Sequence, residues 1–354
     1  MKETERTDDG QQWGMALRQA ERPPDQWFGS LDEMVGALKE REKETKVEEW
    51  YGGQLFFRDS SIYGPAILTL RGDLYSLTNW SLQRVCELLK IPAAYMRRLP
   101  SDVLVKNLEQ GLRDSNQELV WILHARNGWL TAAMQKSEVY GGVRDLGVVE
   151  EAVQLSFSPL IEGEPSDMVI SDREIRIYLA GDADHEIVMG DESLYRGVEI
   201  VNSEVGGRAF SFTAYTFVES CSGRLLWTDA LVRKSSLFKK RDPAYMVVGK
   251  MKTIVAHYFK TRTDEIQRVV GMAMKRPLPG GKAHAGLWLK SKKFSAPEVQ
   301  AMMDWMKMRE GDWTIWSAIC AGLSHAANIQ YCDQRASFEM RVANLLRDVE
   351  DNQK

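Results

Sequence analysis

Arg233, Lys234, Lys239, Lys240 and Arg241 surround Phe238, and Tyr245 follows before Lys250 and Lys252. Cationic side chains contact phosphates and rings stack on bases, so this interleaving suits a single-stranded nucleic acid. A plainer account is available: Met246, Val247, Met251, Ile254, Val255 and Tyr258 could be the core stripe of a helix whose lysines simply face water. Charge weighs between the two. Residues 224–293 hold 17 Lys and Arg against 4 Asp and Glu, a net +13 in a chain totalling −4, so the remainder sums to −17. A basic segment in an otherwise acidic chain favours a surface that meets a polyanion. The nine residues named first are the candidate nucleic-acid-binding set.

Other chemistry finds less footing. Asp182, Asp184, His185, Glu186, Asp191 and Glu192 crowd into GDADHEIVMGDE, and hard cations take carboxylate oxygens. The pattern fails as a calcium loop, because Ile187 stands where glycine is needed and Ser193 where a bidentate glutamate is needed. A solvated turn is expected there, with no metal. The five histidines sit in unrelated contexts, with no nucleophile signature beside His124 or His325, so both read as structural. Gly141, Gly142 and Gly147 match no phosphate-cradling glycine pattern, and no cofactor is implied. Cys86, Cys221, Cys320 and Cys332 are scattered and form no CxxC pair, which fits reduced thiols.

The elements that must position these residues follow from periodicity. Residues 1–29 carry both signs of charge, Pro23 and Pro24, and no apolar stretch, so a disordered tail is expected and no export signal. With no spanning run either, the cytoplasm of a bacterial host is the default compartment. Ser30 can cap a helix over residues 30–50 whose second half is all charge. Short strands are expected around Leu55, Ala66 and Leu74, then helices capped by Asn79 and Ser101. VWILHARNGWLTAAM predicts a hairpin turning at Asn127 and Gly128 in a type I′ turn. Residues 172–232 alternate as an antiparallel meander, with no room for crossover helices. Ser295 and Glu298 make a capping box, and the remainder is helical.

The order of several motifs resembles a family of phage- and plasmid-associated proteins grouped as domain of unknown function 932. The likeness rests on NWSLQRVCELLKIPAAYMRRLP, KSEVYGGVRD, RGVEIVNSEVGGRAF and TIWSAICAGLSHAANI with the later RASFEMRVANLL, spanning about residues 77–347. It implies a mobile-element setting and handling of DNA, and supplies no catalytic residues.

The expected fold is α+β, an antiparallel meander and hairpins with helices packed on one side and a helical C-terminal third. Residues 30–294, including the basic segment 224–293, are expected to form a core domain, and residues 295–354 a C-terminal helical segment. The expected function is non-enzymatic binding of nucleic acid, single-stranded DNA above all, by a chain that could self-associate and has no membrane partner. Two alternatives stand beside it: a metal-dependent phosphoryl-transfer enzyme or nuclease using the 182–192 cluster, and a host-interaction protein that counters a defence system.

Overall fold

The computed structural model describes residues 24–60, 64–136, 144–153, 168–180, 186–208, 210–226, 263–309 and 311–350. Strand β1 (Gln26–Phe28) corrects the expected tail from residue 24 onward: it pairs with a strand far along the chain, and Phe28 packs on a buried cluster, which offsets the ordering entropy. Helix α1 (Leu31–Glu44) starts where Ser30 Oγ accepts a hydrogen bond from the Glu33 N–H at 3.2 Å, and it buries Met34 and Leu38. It stops short of the expected residues 30–50. No apolar side chain follows Leu38 within it, and the charged run passes instead into β2 (Thr45–Tyr51), an edge strand that buries Trp50.

Strands β3 (Leu55–Ser60), β4 (Gly64–Thr69) and β5 (Leu74–Leu77) lead to helices α2 (Asn79–Leu88), α3 (Ala93–Met96) and α4 (Ser101–Asp114). Both expected caps shift by one residue. Thr78 rather than Asn79 caps α2, its extended backbone letting Oγ1 accept from the Ser81 N–H at 3.0 Å. Pro100 precedes α4, while the Ser101 hydroxyl turns away to donate to Asp59 Oδ1 at 2.5 Å. Next, β6 (Val120–Arg126) and β7 (Trp129–Gln135) form the expected hairpin, with Asn127 at φ 51° and Gly128 at φ 79°, as a type I′ turn requires. These strands order as β2-β6-β7-β5-β4-β3, with β5 parallel to β7 and the other neighbours antiparallel. Leu82 and Val85 of α2 and Leu104 and Leu108 of α4 pack on Leu123 and Leu130 of this sheet.

Helix α5 (Asp145–Val153) separates it from the central sheet, built of β8 (Met168–Ile170), β9 (Ile175–Ala180), β10 (Glu186–Met189), β11 (Glu192–Asn202), β12 (Ser211–Val218) and β13 (Gly223–Leu226) together with β1. The order is β1-β8-β9-β11-β12-β13, with β10 also on β11, and every described pairing is antiparallel. Antiparallel pairing thus holds as far as Leu226, and residues 227–232 lie outside the described residues. Ile177, Leu179, Val198 and Ile200 form one face, covered by Met34 and Leu38 of α1 and Val149 of α5.

The C-terminal third is helical: α6 (Thr263–Lys275), α7 (Gly281–Ser291), α8 (Ala296–Lys307), α9 (Ile315–Ala326), α10 (Cys332–Ala343) and α11 (Arg347–Glu350). The expected capping box opens α8, with Glu298 Oε2 accepting from the Ser295 N–H at 2.6 Å. The architecture is α+β. Leu289, Met302, Ile319 and Leu323 share one apolar cluster with Leu194, Val218 and Leu225, so these helices and the central sheet are packed as one body. Contact is closest at Gly223, where a Cβ would lie 2.4 Å from Leu323 Cβ and 3.1 Å from its Cα. Only glycine admits α9 so near β13. Among the described residues no helix is long and apolar enough to cross a membrane.

The second face of the central sheet, buried beneath α10, carries charged residues beside the cluster of Tyr178, Tyr215, Phe217 and Leu226. Arg176 is held by Glu174, with Nη2 at 2.5 Å from Oε1, and by Glu199 on the neighbouring strand. Arg224 on β13 lies 3.5 Å from Glu339 of α10, which also takes Arg335 at 3.1 Å. Removing the one carboxylate between two buried guanidiniums leaves both without their shared partner. Glu339→Gln should therefore lower the unfolding free energy by about 3–5 kcal/mol, read from the urea midpoint. An unchanged midpoint would show that apolar contacts alone dock α10.

Candidate nucleic-acid interface

Arg233, Lys234, Phe238, Lys239, Lys240, Arg241, Tyr245, Lys250 and Lys252 lie outside the described residues. The continuation of their segment is described, and it is more uniformly basic than its start. Residues 266–293 contain seven Lys and Arg and no Asp or Glu. Helix α6 keeps its acids, Asp264 and Glu265, in the first turn, where they favour the helix dipole, and buries Ile266, Val269, Val270 and Ala273. The chain then turns under firm backbone control: the Leu278 N–H donates to the Trp313 carbonyl and the Ile315 N–H to that of Arg276, both at 2.9 Å. Gly280, at φ 73°, admits the chain into α7, which buries Ala285 and Leu289.

What remains outward is basic. Lys275, Lys282, Lys290 and Lys293 are exposed, and none has a carboxylate within ion-pair distance among the described residues. Lys282 instead sits 5.7 Å from the Trp313 ring centroid. Elsewhere most described lysines are paired, as Lys39 is with Glu150, Lys106 with Asp102 and Lys136 with Glu49. Exposed Lys46 and Lys90 stand apart from one another, without a carboxylate in ion-pair distance among the described residues. Lys292 pairs with Asp348 at 2.6 Å and Arg276 Nη1 donates to the Val349 carbonyl at 3.0 Å, so these cations of the segment are held in place. Leu287, 66 % exposed, lies on the same helix as Lys282 and Lys290. Unpaired ammonium groups beside apolar surface can contact phosphate and sugar without first breaking an ion pair.

A buried titratable group sits where α5 meets the end of β11, and sequence reasoning missed most of it. Asp145, 2 % exposed, opens α5, where its own N–H donates to Glu204 Oε1 and Asn202 Nδ2 donates to its carboxyl Oδ1, each at 2.7 Å. Burial first, and then the Glu204 carboxylate, push the Asp145 carboxyl up to about 7. His124 on β6 is pushed down to about 4, by burial and then by the guanidinium groups of Arg41 and Arg144. Arg41 donates to the Ser171 carbonyl at 3.3 Å. The only local signal was an acid before LGVVEEAV, a helix-opening pattern that says nothing of Asn202 or Glu204. A carboxyl whose pKa differs between the folded and unfolded chain links stability to pH.

The acidic cluster is divided. Asp182, Asp184 and His185 lie outside the described residues, while Glu186 accepts from the Tyr195 hydroxyl at 3.5 Å and Glu192 from Trp316 Nε1 at 3.4 Å. Among the described residues no three His, Cys, Asp or Glu side chains are placed to hold a metal ion. All four cysteines are free thiols and buried. Comparison with family models, with curated proteins and with solved structures finds no match to this chain.

The two perturbed groups have opposite pH signatures. Asp145 has a folded pKa above its ordinary 3.8, so its contribution is greatest below that value and declines as pH rises to about 7. His124 has a folded pKa below its ordinary 6.5, so its contribution is present above that value and declines as pH falls to about 4. Urea unfolding between pH 4 and 8 (a range of roughly four units spanning both transitions) should show Asp145→Asn gaining on the parent as pH rises. His124→Gln should gain on it as pH falls. Parallel profiles for parent and variants would refute both assignments.

Proposed function

We propose that this chain is a non-enzymatic nucleic-acid-binding protein whose preferred ligand is single-stranded DNA, acting in a phage or plasmid setting. The observation that carries the reading is the set of exposed, carboxylate-free lysines on α6, α7 and the turn after it, continuous in sequence with the basic segment that begins at Arg224. The preference for single strands rests on the rings interleaved with cations, Phe238 and Tyr245 among Lys239, Lys240 and Arg241. The resemblance of residues 77–347 to domain of unknown function 932 accords with handling the DNA of a mobile element.

Fluorescence anisotropy with labelled single-stranded, duplex and RNA oligonucleotides across a salt series tests this. Affinity for single strands should fall with salt at a log–log slope of about −0.7 for each phosphate contacted. Replacing Lys275, Lys282, Lys290 and Lys293 together by alanine should flatten that slope and weaken binding alike for all sequences, because phosphate contacts carry no base information. A parent that fails to bind at low salt, or a quadruple variant with unchanged affinity and slope, would overturn the reading.

A further inference from the structure

A cavity of about 630 Å³ opens where α8, α9, α10 and the β11–β12 loop meet. Its α10 wall is made by Gln334, Ser337 and Arg341, whose spacing places them along one side of the helix. Helix α9 adds His325, α8 adds Glu298, and the loop adds Arg208. The volume lies in the range of small-molecule sites, roughly 300–1,000 Å³.

The charges around it are unevenly committed. Glu298 has both oxygens engaged by Arg341, at 3.0 Å from Nη1 and 2.6 Å from Nη2, and this guanidinium helps hold its carboxyl down to about 2. Asp333, also at the wall, lies 3.7 Å from Arg173. Arg208 is different: its side chain is 53 % exposed and is engaged only through Nε, 3.3 Å from Glu174. Glu174 is already held by Arg176. Among the described residues, the terminal nitrogens of Arg208, the Gln334 amide, the Ser337 hydroxyl and the His325 imidazole nitrogens have no hydrogen-bond partner. The cavity therefore offers one uncommitted cationic fork and three further side chains with hydrogen-bonding atoms to spare. Its carboxylates are already neutralised.

We infer that this cavity binds a nucleotide: a phosphate on the Arg208 fork, and a planar base whose edge is read by Gln334 and Ser337 beside His325. A guanidinium fork matches phosphate oxygens in pairs, and a side-chain amide reads paired donor and acceptor atoms on a base edge. A bare phosphate would leave most of the volume and the side chains of Gln334, Ser337 and His325 unused. The same chemistry belongs to a free mononucleotide and to one unit of a bound strand. The site adjoins the proposed interface, since Arg341 Nη1 also donates to the Lys293 carbonyl at 3.0 Å. The choice of a nucleotide over other anionic rings rests on the nucleic-acid reading.

Calorimetric titration of the full chain with the four deoxynucleoside monophosphates, with inorganic phosphate and with an oligothymidylate separates the cases. Mononucleotide affinity should drop about tenfold to a hundredfold in Arg208→Gln, the scale of a lost charge-assisted contact, and by a similar factor in Gln334→Ala/Ser337→Ala, which removes two neutral hydrogen bonds together. Gln334 and Ser337 are exposed and unbonded, so the double variant keeps the fold, and Ser337→Trp, which fills the cavity, serves as an independent block. Mononucleotide binding that these variants abolish supports the site, and loss of oligonucleotide affinity in the same variants identifies a strand unit as its occupant. Oligonucleotide binding that persists while no mononucleotide binds and the pocket variants behave as the parent overturns the site and leaves the interface standing. Mononucleotide binding without oligonucleotide binding upholds the site and sinks the interface. Equal affinity for inorganic phosphate and nucleotides overturns the assignment of a base to the cavity.

Discussion

The layer of charge between the central sheet and α10 is the constraint on which the rest of the molecule depends. Arg176, Glu174, Glu199, Arg224, Glu339 and Arg335 are all buried, and each guanidinium lies against at least one of the three carboxylates. Charges removed from water are tolerable only when all are paired, and pairing fixes geometry more tightly than apolar contact does. A shift of α10 by one residue would carry Glu339, with Arg335 still beside it on the same helix, away from Arg224 on β13. The layer thus sets the helix's register on the sheet at some expense in desolvation.

That register has consequences on both sides of α10. Inward-facing Arg335 also lies 5.6 Å from the Trp27 ring centroid, and the Cys332 N–H donates to Asp25 Oδ2 at 2.6 Å, which ties the first described strand to the last long helix. Outward, the same rotation presents Gln334, Ser337 and Arg341 to the cavity. Glu174 couples the two, since it is shared by buried Arg176 and exposed Arg208. The cavity wall is therefore held by the buried network rather than by a flexible loop alone.

How far this was legible from sequence depends on whether the decisive partner is local. The Asn127–Gly128 hairpin and the Ser295–Glu298 box were readable because their donors and acceptors lie within a few residues. Ile175, Ile177 and Leu179 announced one face of β9 by alternation, yet the same alternation puts Arg176 and Tyr178 on the other face. A charged residue between apolar ones normally signals solvent, and nothing near Arg176 reveals Glu199 on a neighbouring strand, 23 residues away. Strand β2 was hidden for a related reason: only Trp50 buries fully, and alternating charge on an edge strand looks like a helix surface. The basic excess was visible by counting. Whether each lysine has a carboxylate beside it depends on packing, and counting does not reach it.

The contrast between those two populations of charge bears on why the basic face exists. The buried ions of the layer beneath α10 are paired because an unpaired one would cost several kcal/mol. No such pressure acts at the surface, where an ion pair contributes only about 0–1 kcal/mol, so stability neither demands partners for Lys275, Lys282, Lys290 and Lys293 nor gains from their absence. Gathering like charges carries a small repulsive cost instead, and in a chain of net charge −4 there are carboxylates enough to intersperse. A cluster that folding does not require and slightly resists is what the proposed binding of nucleic acid calls for. Under the proposed function that partner is a polyanion, whose released counterions would supply the favourable free energy.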